Sequence, residues 1–159
     1  MNLPALDVRL ESELWRRLPE ACAVARRAVA AAAAVIAFAK EDEIGVTLMD
    51  DTRIAELNRR WRHQDKPTNV LSFPAPPSPV VDAHRFLGDI VLAYETIERE
   101  ARALRRTMDQ HLAHLVLHGL LHLLGHDHES DERAEEMEEL EARILATLGI
   151  ADPHAVGAD

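Results

Sequence analysis

Residues 118–128 read HGLLHLLGHDH, with four imidazoles in eleven residues. His118 and His122 stand four apart among leucines, and on a helix that spacing projects both rings from one face. Two imidazoles so placed can share one metal ion, as the paired histidines of zinc peptidases do. His114 falls on the same stripe, but eight residues separate it from His122. That is roughly 12 Å of helix at about 1.5 Å per residue, whereas zinc needs nitrogen ligands at about 2.0–2.1 Å. The third ligand must therefore come from chain that has turned back. Gly125 offers the turn, because glycine takes the left-handed conformation that ends helices, and both His126 and His128 follow it. Three histidines with a fourth position open make a catalytic zinc site rather than a closed structural one.

Position 119 is glycine, where zinc peptidases of the H-E-x-x-H type carry their general-base glutamate. The helical part of the motif holds no carboxylate at all, which speaks against proteolysis. Either something other than a peptide is attacked, or the substrate brings its own nucleophile. The one cysteine, Cys22, excludes an internal disulfide and a multi-cysteine zinc site, so any metal has nitrogen and oxygen ligands. A chain without disulfides fits a reducing cytoplasm.

The elements that must hold these residues follow from periodicity. Strands are expected at 5–10, 43–49, 69–74 and 86–94. One long helix is expected over 13–39, open to a break near Pro19. Asp50 or Asp51 caps a helix running to about Arg60, with Ile54, Leu57 and Trp61 on one side. Further helices are expected at about 95–106, 108–124 and 130–148, the last with Ala134, Met137, Leu140, Ile144 and Leu148 on its apolar face. The proline-containing segment 75–84 reads as a surface loop. The fold class is α/β (α+β): a single domain over 1–150, with a small mixed sheet of about four strands packed by helices, the zinc site on a helix in the C-terminal half, and a flexible tail at 151–159.

The chain has 159 residues, 47% of them hydrophobic, and a net charge of −10. As an average, that charge opposes a nucleic-acid partner, because phosphate backbones demand cations. Its distribution answers the objection. Eight acidic residues crowd 129–141, where Arg133 is the one base, whereas 53–66 holds five Arg or Lys and 99–106 holds four Arg. The longest apolar run, 28–39, is twelve residues, short of the about 20 that a membrane span needs. The N-terminus lacks the basic-then-apolar order of a signal peptide. A soluble, cytoplasmic protein is expected.

The metal motif resembles H-G-x-L-H-L-x-G-x-D-H of the YbeY family of bacterial endoribonucleases. ELNRRWRHQDKPTNVLSFP (56–74) resembles that family's second signature, a helix and an arginine followed by T-x-V-L-S-F-P, and LGDIVLA (87–93) is similar to its G-D-I strand. The chain departs from the pattern at His126, where the family often has tyrosine. The resemblance implies one zinc per chain on His118, His122 and His128, and makes Arg62 the functional arginine. It implies cleavage of single-stranded RNA in maturation of the small-subunit ribosomal RNA 3′ end and in ribosome quality control. The partners would be ribosomal RNA, the small ribosomal subunit and ribosome-assembly proteins, with no membrane and no DNA.

The chemistry suits such a substrate. Phosphodiester cleavage builds charge on phosphoryl oxygens, which zinc stabilises by Lewis acidity and a guanidinium by paired hydrogen bonds. Zinc-bound water or the RNA 2′-OH can serve as nucleophile without the missing glutamate. Arg59, Arg60, Thr68 and Ser72 are candidate substrate contacts. Asp127 is a candidate to orient a ligand histidine or to cap the following helix, and Asp89 is a candidate to face the site or to hold a strand end. Two other readings stand beside the nuclease: a non-enzymatic, zinc-stabilised ribosome-assembly factor, and a zinc hydrolase of another substrate class.

Overall fold

The computed structural model describes residues 2–76 and 85–152. Most of the expected 75–84 loop, from residue 77, and the tail from residue 153 lie outside the described residues. The elements run β1 (Ala5–Leu10), a 3-10 turn (Glu13–Arg17), α1 (Ala21–Ala33), β2 (Asp42–Met49), α2 (Asp51–Arg62), β3 (Val70–Pro74), β4 (Arg85–Ala93), α3 (Tyr94–Ala103), α4 (Met108–Leu123) and α5 (Asp131–Thr147). The sheet order is β1-β2-β4-β3, with β3 alone antiparallel to its neighbour. This is the small mixed four-stranded sheet with helices that the pattern of elements implied.

The period of two sorts side chains between the faces of the sheet. Ile44, Val46 and Leu48 of β2 and Ile90 and Leu92 of β4 join α1, α4 and α5 in the main core. Val91 and Ala93 turn the other way, onto Ile54 and Leu57 of α2 with Leu71 and Phe73 of β3. So α2 and α4 cover opposite faces, and whatever joins them must pass round the β3 edge.

The single helix expected over 13–39 is two pieces. The chain breaks at Pro19, whose ring cannot continue a helix, and α1 ends at Ala33, six residues before Ala39. Bonds from Val35 and Ile36 to the Ala32 carbonyl turn the chain, which then buries Phe38 and starts β2 at Asp42. The buried Asp42 carboxylate accepts from the Ala39 N–H and from Arg85, closing that corner. Alanine propensity favoured more helix; the need to return to the sheet overrode it. No helix among the described residues is long and apolar enough to cross a membrane.

Candidate metal centre and cleft

Helix α4 starts from a reciprocal cap in which Thr107 Oγ1 accepts from the Gln110 N–H and Gln110 Oε1 accepts from the Thr107 N–H. It then lies almost against the sheet. A Cβ added at Gly119 would meet Ile90 Cγ2 at 2.7 Å and Ser72 Oγ at 3.1 Å, and Ser72 Oγ donates to the Gly119 carbonyl at 2.8 Å. The position where a peptidase keeps its glutamate is thus spent on packing, and its side chain would point into β3 and β4.

His118 and His122 emerge from the neighbouring face, with ring centroids 4.6 Å apart and Nε2 atoms 3.1 Å apart. The helix ends at Gly125, φ 97°. Its N–H reaches the His122 carbonyl, and the His126 N–H reaches back to the Leu121 carbonyl at 3.0 Å. This paired closure turns the chain so that the His128 ring lies 5.6 Å from that of His118 and 5.7 Å from that of His122.

The protons are placed by what stands behind the rings. His118 Nδ1 donates to the Glu141 carboxylate of α5 at 2.9 Å, which leaves its Nε2 a lone pair. The Nε2 of His122 faces His118, and the His126 backbone lies against the His122 ring. The two Nε2 atoms stand 3.1 Å apart, close enough for both to turn to one cation. Burial, and then the His118 and His128 rings, lower the His122 pKa, which favours its neutral imidazole. Imidazole donors suit zinc, copper, iron or nickel, so the donor set fits a transition metal.

Glu141 is the candidate site residue that sequence reasoning missed. It is fully buried and also lies 3.3 Å from His114 Nε2. Burial alone would raise its carboxyl, but hydrogen bonds from His114 and His118 outweigh that and hold it well below the usual carboxylate range. His114, His118 and Glu141 bring one ligand atom each within 4.8 Å of one another, so this group too could hold a metal ion. His114, which helix geometry separates from His122, thus joins the site through a carboxylate. The signal was present in the sequence: position 141 lies between Met137 and Ile144 on the apolar stripe of α5, where an acid is out of place.

Arg62 comes from the opposite face of the sheet. Helix α2 is capped by the Asp50 side chain and closes at His63, φ 59°. In its last turn Arg62 Nη2 donates to the Ser72 carbonyl at 2.7 Å, with the guanidinium 5.2 Å from the Phe73 ring centroid. That carbonyl lies on the free edge of β3, since Asn69 and Ala75 make the bonds to β4. Arg62 therefore reaches round the edge into a cleft of about 500 Å³ that His118, His122, His126 and Ser72 also line.

Of the other candidates, Thr68, Arg59 and Arg60 do not line this cleft among the described residues. Arg60 makes a 3.9 Å surface pair with Glu56. Asp127 accepts from the Glu129 N–H and from Arg133, and these bonds hold its carboxyl below the ordinary value. It organises the loop into α5, whose cap is Ser130. Asp89 shares the α2 side of β4 with Val91 and Ala93, away from α4, and burial raises its carboxyl.

The family model described as Endoribonuclease YbeY matches residues 11–149. The chain is 54% identical over 159 residues to "Endoribonuclease YbeY" of Bradyrhizobium diazoefficiens, covering 97% of this chain and 87% of that one. It is 52% identical to the protein of that name from Nitrobacter hamburgensis, covering 96% and 83%. It is 50% identical to that from Azorhizobium caulinodans, covering 97% and 98%. With a match spanning both the histidine cluster and the arginine that faces it across the cleft, the chain belongs to the Endoribonuclease YbeY family.

Proposed function

We propose that the protein is a zinc-dependent endoribonuclease that cuts single-stranded RNA, acting in maturation of the small-subunit ribosomal RNA 3′ end and in ribosome quality control. Membership of a family of endoribonucleases makes it a nuclease of the hydrolase class. The observation that carries the finer reading is the cleft itself, with convergent imidazoles on one wall and a pinned guanidinium on the other. His118, His122 and His128 are the proposed ligands. Glu141 stands behind His118 as its orienting carboxylate, so in this reading it is not itself a ligand.

Zinc held there would supply Lewis acidity to a phosphoryl oxygen. Arg62 meets the same phosphate from the other wall. Its bond to the Ser72 carbonyl and its packing on Phe73 fix the fork before substrate arrives, so little conformational freedom is lost on binding. Gly119 leaves no carboxylate where a peptidase keeps its base, so the proton of the attacking oxygen goes to water, to a substrate oxygen or to His126 or Asp127, which both line the cleft. The acidic charge does not oppose RNA here, because seven of the eight acids of 129–141 are surface groups of the loop and α5, whereas Glu141 is fully buried behind His118 and does not line the cleft.

The test is incubation of metal-loaded protein with labelled single-stranded and duplex RNA, beside His118→Ala and Arg62→Ala. The parent should cut the single strand only. His118→Ala should lose metal and cleavage together. Arg62→Ala should keep its metal and lose about 10²–10³ in rate, the usual cost of one transition-state donor. Equal cutting by parent and His118→Ala would trace the activity to a contaminant and defeat the proposal. RNA binding without cutting by the parent would favour the assembly-factor reading.

A further inference from the structure

Helix α2 buries a stripe along its length: Ile54 is fully buried and Leu57 packs in the second cluster. Trp61, next on that stripe, is 59% exposed. The cause is length, since the helix has run past the last strand. Its final turn overhangs the free edge of β3, which is why Arg62 bonds to an outward carbonyl there. A large exposed aromatic ring therefore shares the last turn of α2 with Arg59, Arg60 and the cleft-lining Arg62. Single exposed apolar residues are common and need no function. This one has cations on both sides in sequence and stands one residue from a cleft-lining guanidinium. A protein surface seeking an apolar ring would not require three arginines around it, whereas a nucleic-acid strand supplies both a π face and phosphates.

We infer that Trp61 is a stacking platform for a nucleobase of single-stranded RNA next to the scissile phosphate, with Arg59 and Arg60 meeting the flanking phosphates. This rests on the nuclease reading of the cleft. Unpaired bases splay onto aromatic side chains, whereas paired bases are already stacked, so the platform selects single strands. Arg59 and Arg60 sit at the helix C-terminus, where their charge is also favourable to the helix dipole. They are thus tolerated as a cluster before any RNA is bound.

The molecule carries its own probe, because it has two tryptophans and the other, Trp15, is buried at 2% exposure with its N–H bonded to the Met49 carbonyl. Titrating metal-loaded Arg62→Ala protein with a single-stranded RNA oligonucleotide should quench and shift the emission of the exposed indole. An abasic oligonucleotide of the same length should leave that emission unchanged and bind more weakly. In cleavage assays Trp61→Ala should raise KM roughly 5- to 150-fold, the range expected for one base–aromatic stack. Its kcat and metal content should stay near the parent values, Trp61→Phe should recover most of the loss, and Trp61→Leu should recover little. An unchanged KM in Trp61→Ala, equal quenching by the abasic strand, or rescue by leucine equal to that by phenylalanine would overturn the inference. If the parent cuts no RNA, the nuclease reading fails by that result alone, and the indole titration still decides whether Trp61 stacks on a base.

Discussion

Helices α4 and α5 end in the same way and to different purpose. Gly125 and Gly149 both adopt positive φ, 97° and 73°. Each closes its helix with the same pair of bonds: Gly125 to His122 and His126 to Leu121, Gly149 to Ala146 and Ile150 to Leu145, all between 3.0 and 3.1 Å. After one turn comes His126-Asp127-His128 at the mouth of a polar cleft. After the other comes Ile150, folded back into the core at 9% exposure. The backbone device is identical and the residue it delivers differs. One glycine is therefore a structural stop, and the other is the hinge on which the proposed third ligand hangs.

The comparison breaks most sharply at the delivered residues. On the proposed ligand set, His128→Ala should lose most of the metal and nearly all cleavage, with little change in the melting temperature of metal-free protein, since His128 is exposed. Ile150→Ala should do the reverse, costing about 2 kcal/mol at the low end of buried aliphatic truncations while binding metal like the parent. Metal analysis beside calorimetry of the metal-free proteins separates the two. Full metal in His128→Ala, with loss in His126→Ala instead, would move the third ligand to His126.

Helix α5 still touches the site, through a side chain rather than through its end. Glu141→Gln keeps the shape but replaces a carboxylate behind His118 with an amide, and should weaken metal binding about 10- to 100-fold. Competition against a chelating dye reads this directly. An unchanged affinity would make Glu141 a packing residue. The dye assay also weighs the two possible metal groups: His114→Ala should bind nearly as well as the parent if the metal lies among His118, His122 and His128.

The glycines give a matched pair, because an added Cβ would meet nothing within 4 Å at either one. Alanine at each should therefore cost backbone strain alone, about 1–2 kcal/mol. Gly149→Ala should show this as lost stability with metal affinity intact. Gly125→Ala should also weaken metal binding about tenfold, the equivalent of about 1.4 kcal/mol, because a relaxed turn moves the His128 ring. Equal metal affinities in the two variants would erase the distinction.

The smallest effect is a pH slope. Burial lowers the pKa of His114 in the folded chain, against a partly compensating pull from Glu141. A histidine with a depressed folded pKa takes its proton first in the unfolded state, so its contribution to stability is present above 6.5 and lost as pH falls below it. The metal-free protein should melt progressively lower from about pH 7 downward, and His114→Asn should flatten that slope. A slope unchanged by His114→Asn would assign it to other groups.

What the sequence by itself determined is local. The i, i+4 spacing of His118 and His122, the glycine stop at 125, an aspartate cap at 50 or 51 and the strand at 86–94 are each decided within a few residues by side-chain direction, backbone freedom and alternation, and all are present in the structure, with Asp50 as the cap. The extra turns expected beyond Ala33 were not, because alanine propensity is weak beside the return of the chain to the sheet. Three features depended on elements distant in the chain. Glu141 reaches His118 across 23 residues because α5 packs on α4, although its place on an apolar stripe hinted at burial. Arg62 lies in the cleft because α2 overruns a sheet edge whose position strand order sets. Trp61 is exposed for the same reason, although its periodicity alone would bury it. Periodicity reports which side of a helix a residue occupies; only packing decides whether anything lies on that side.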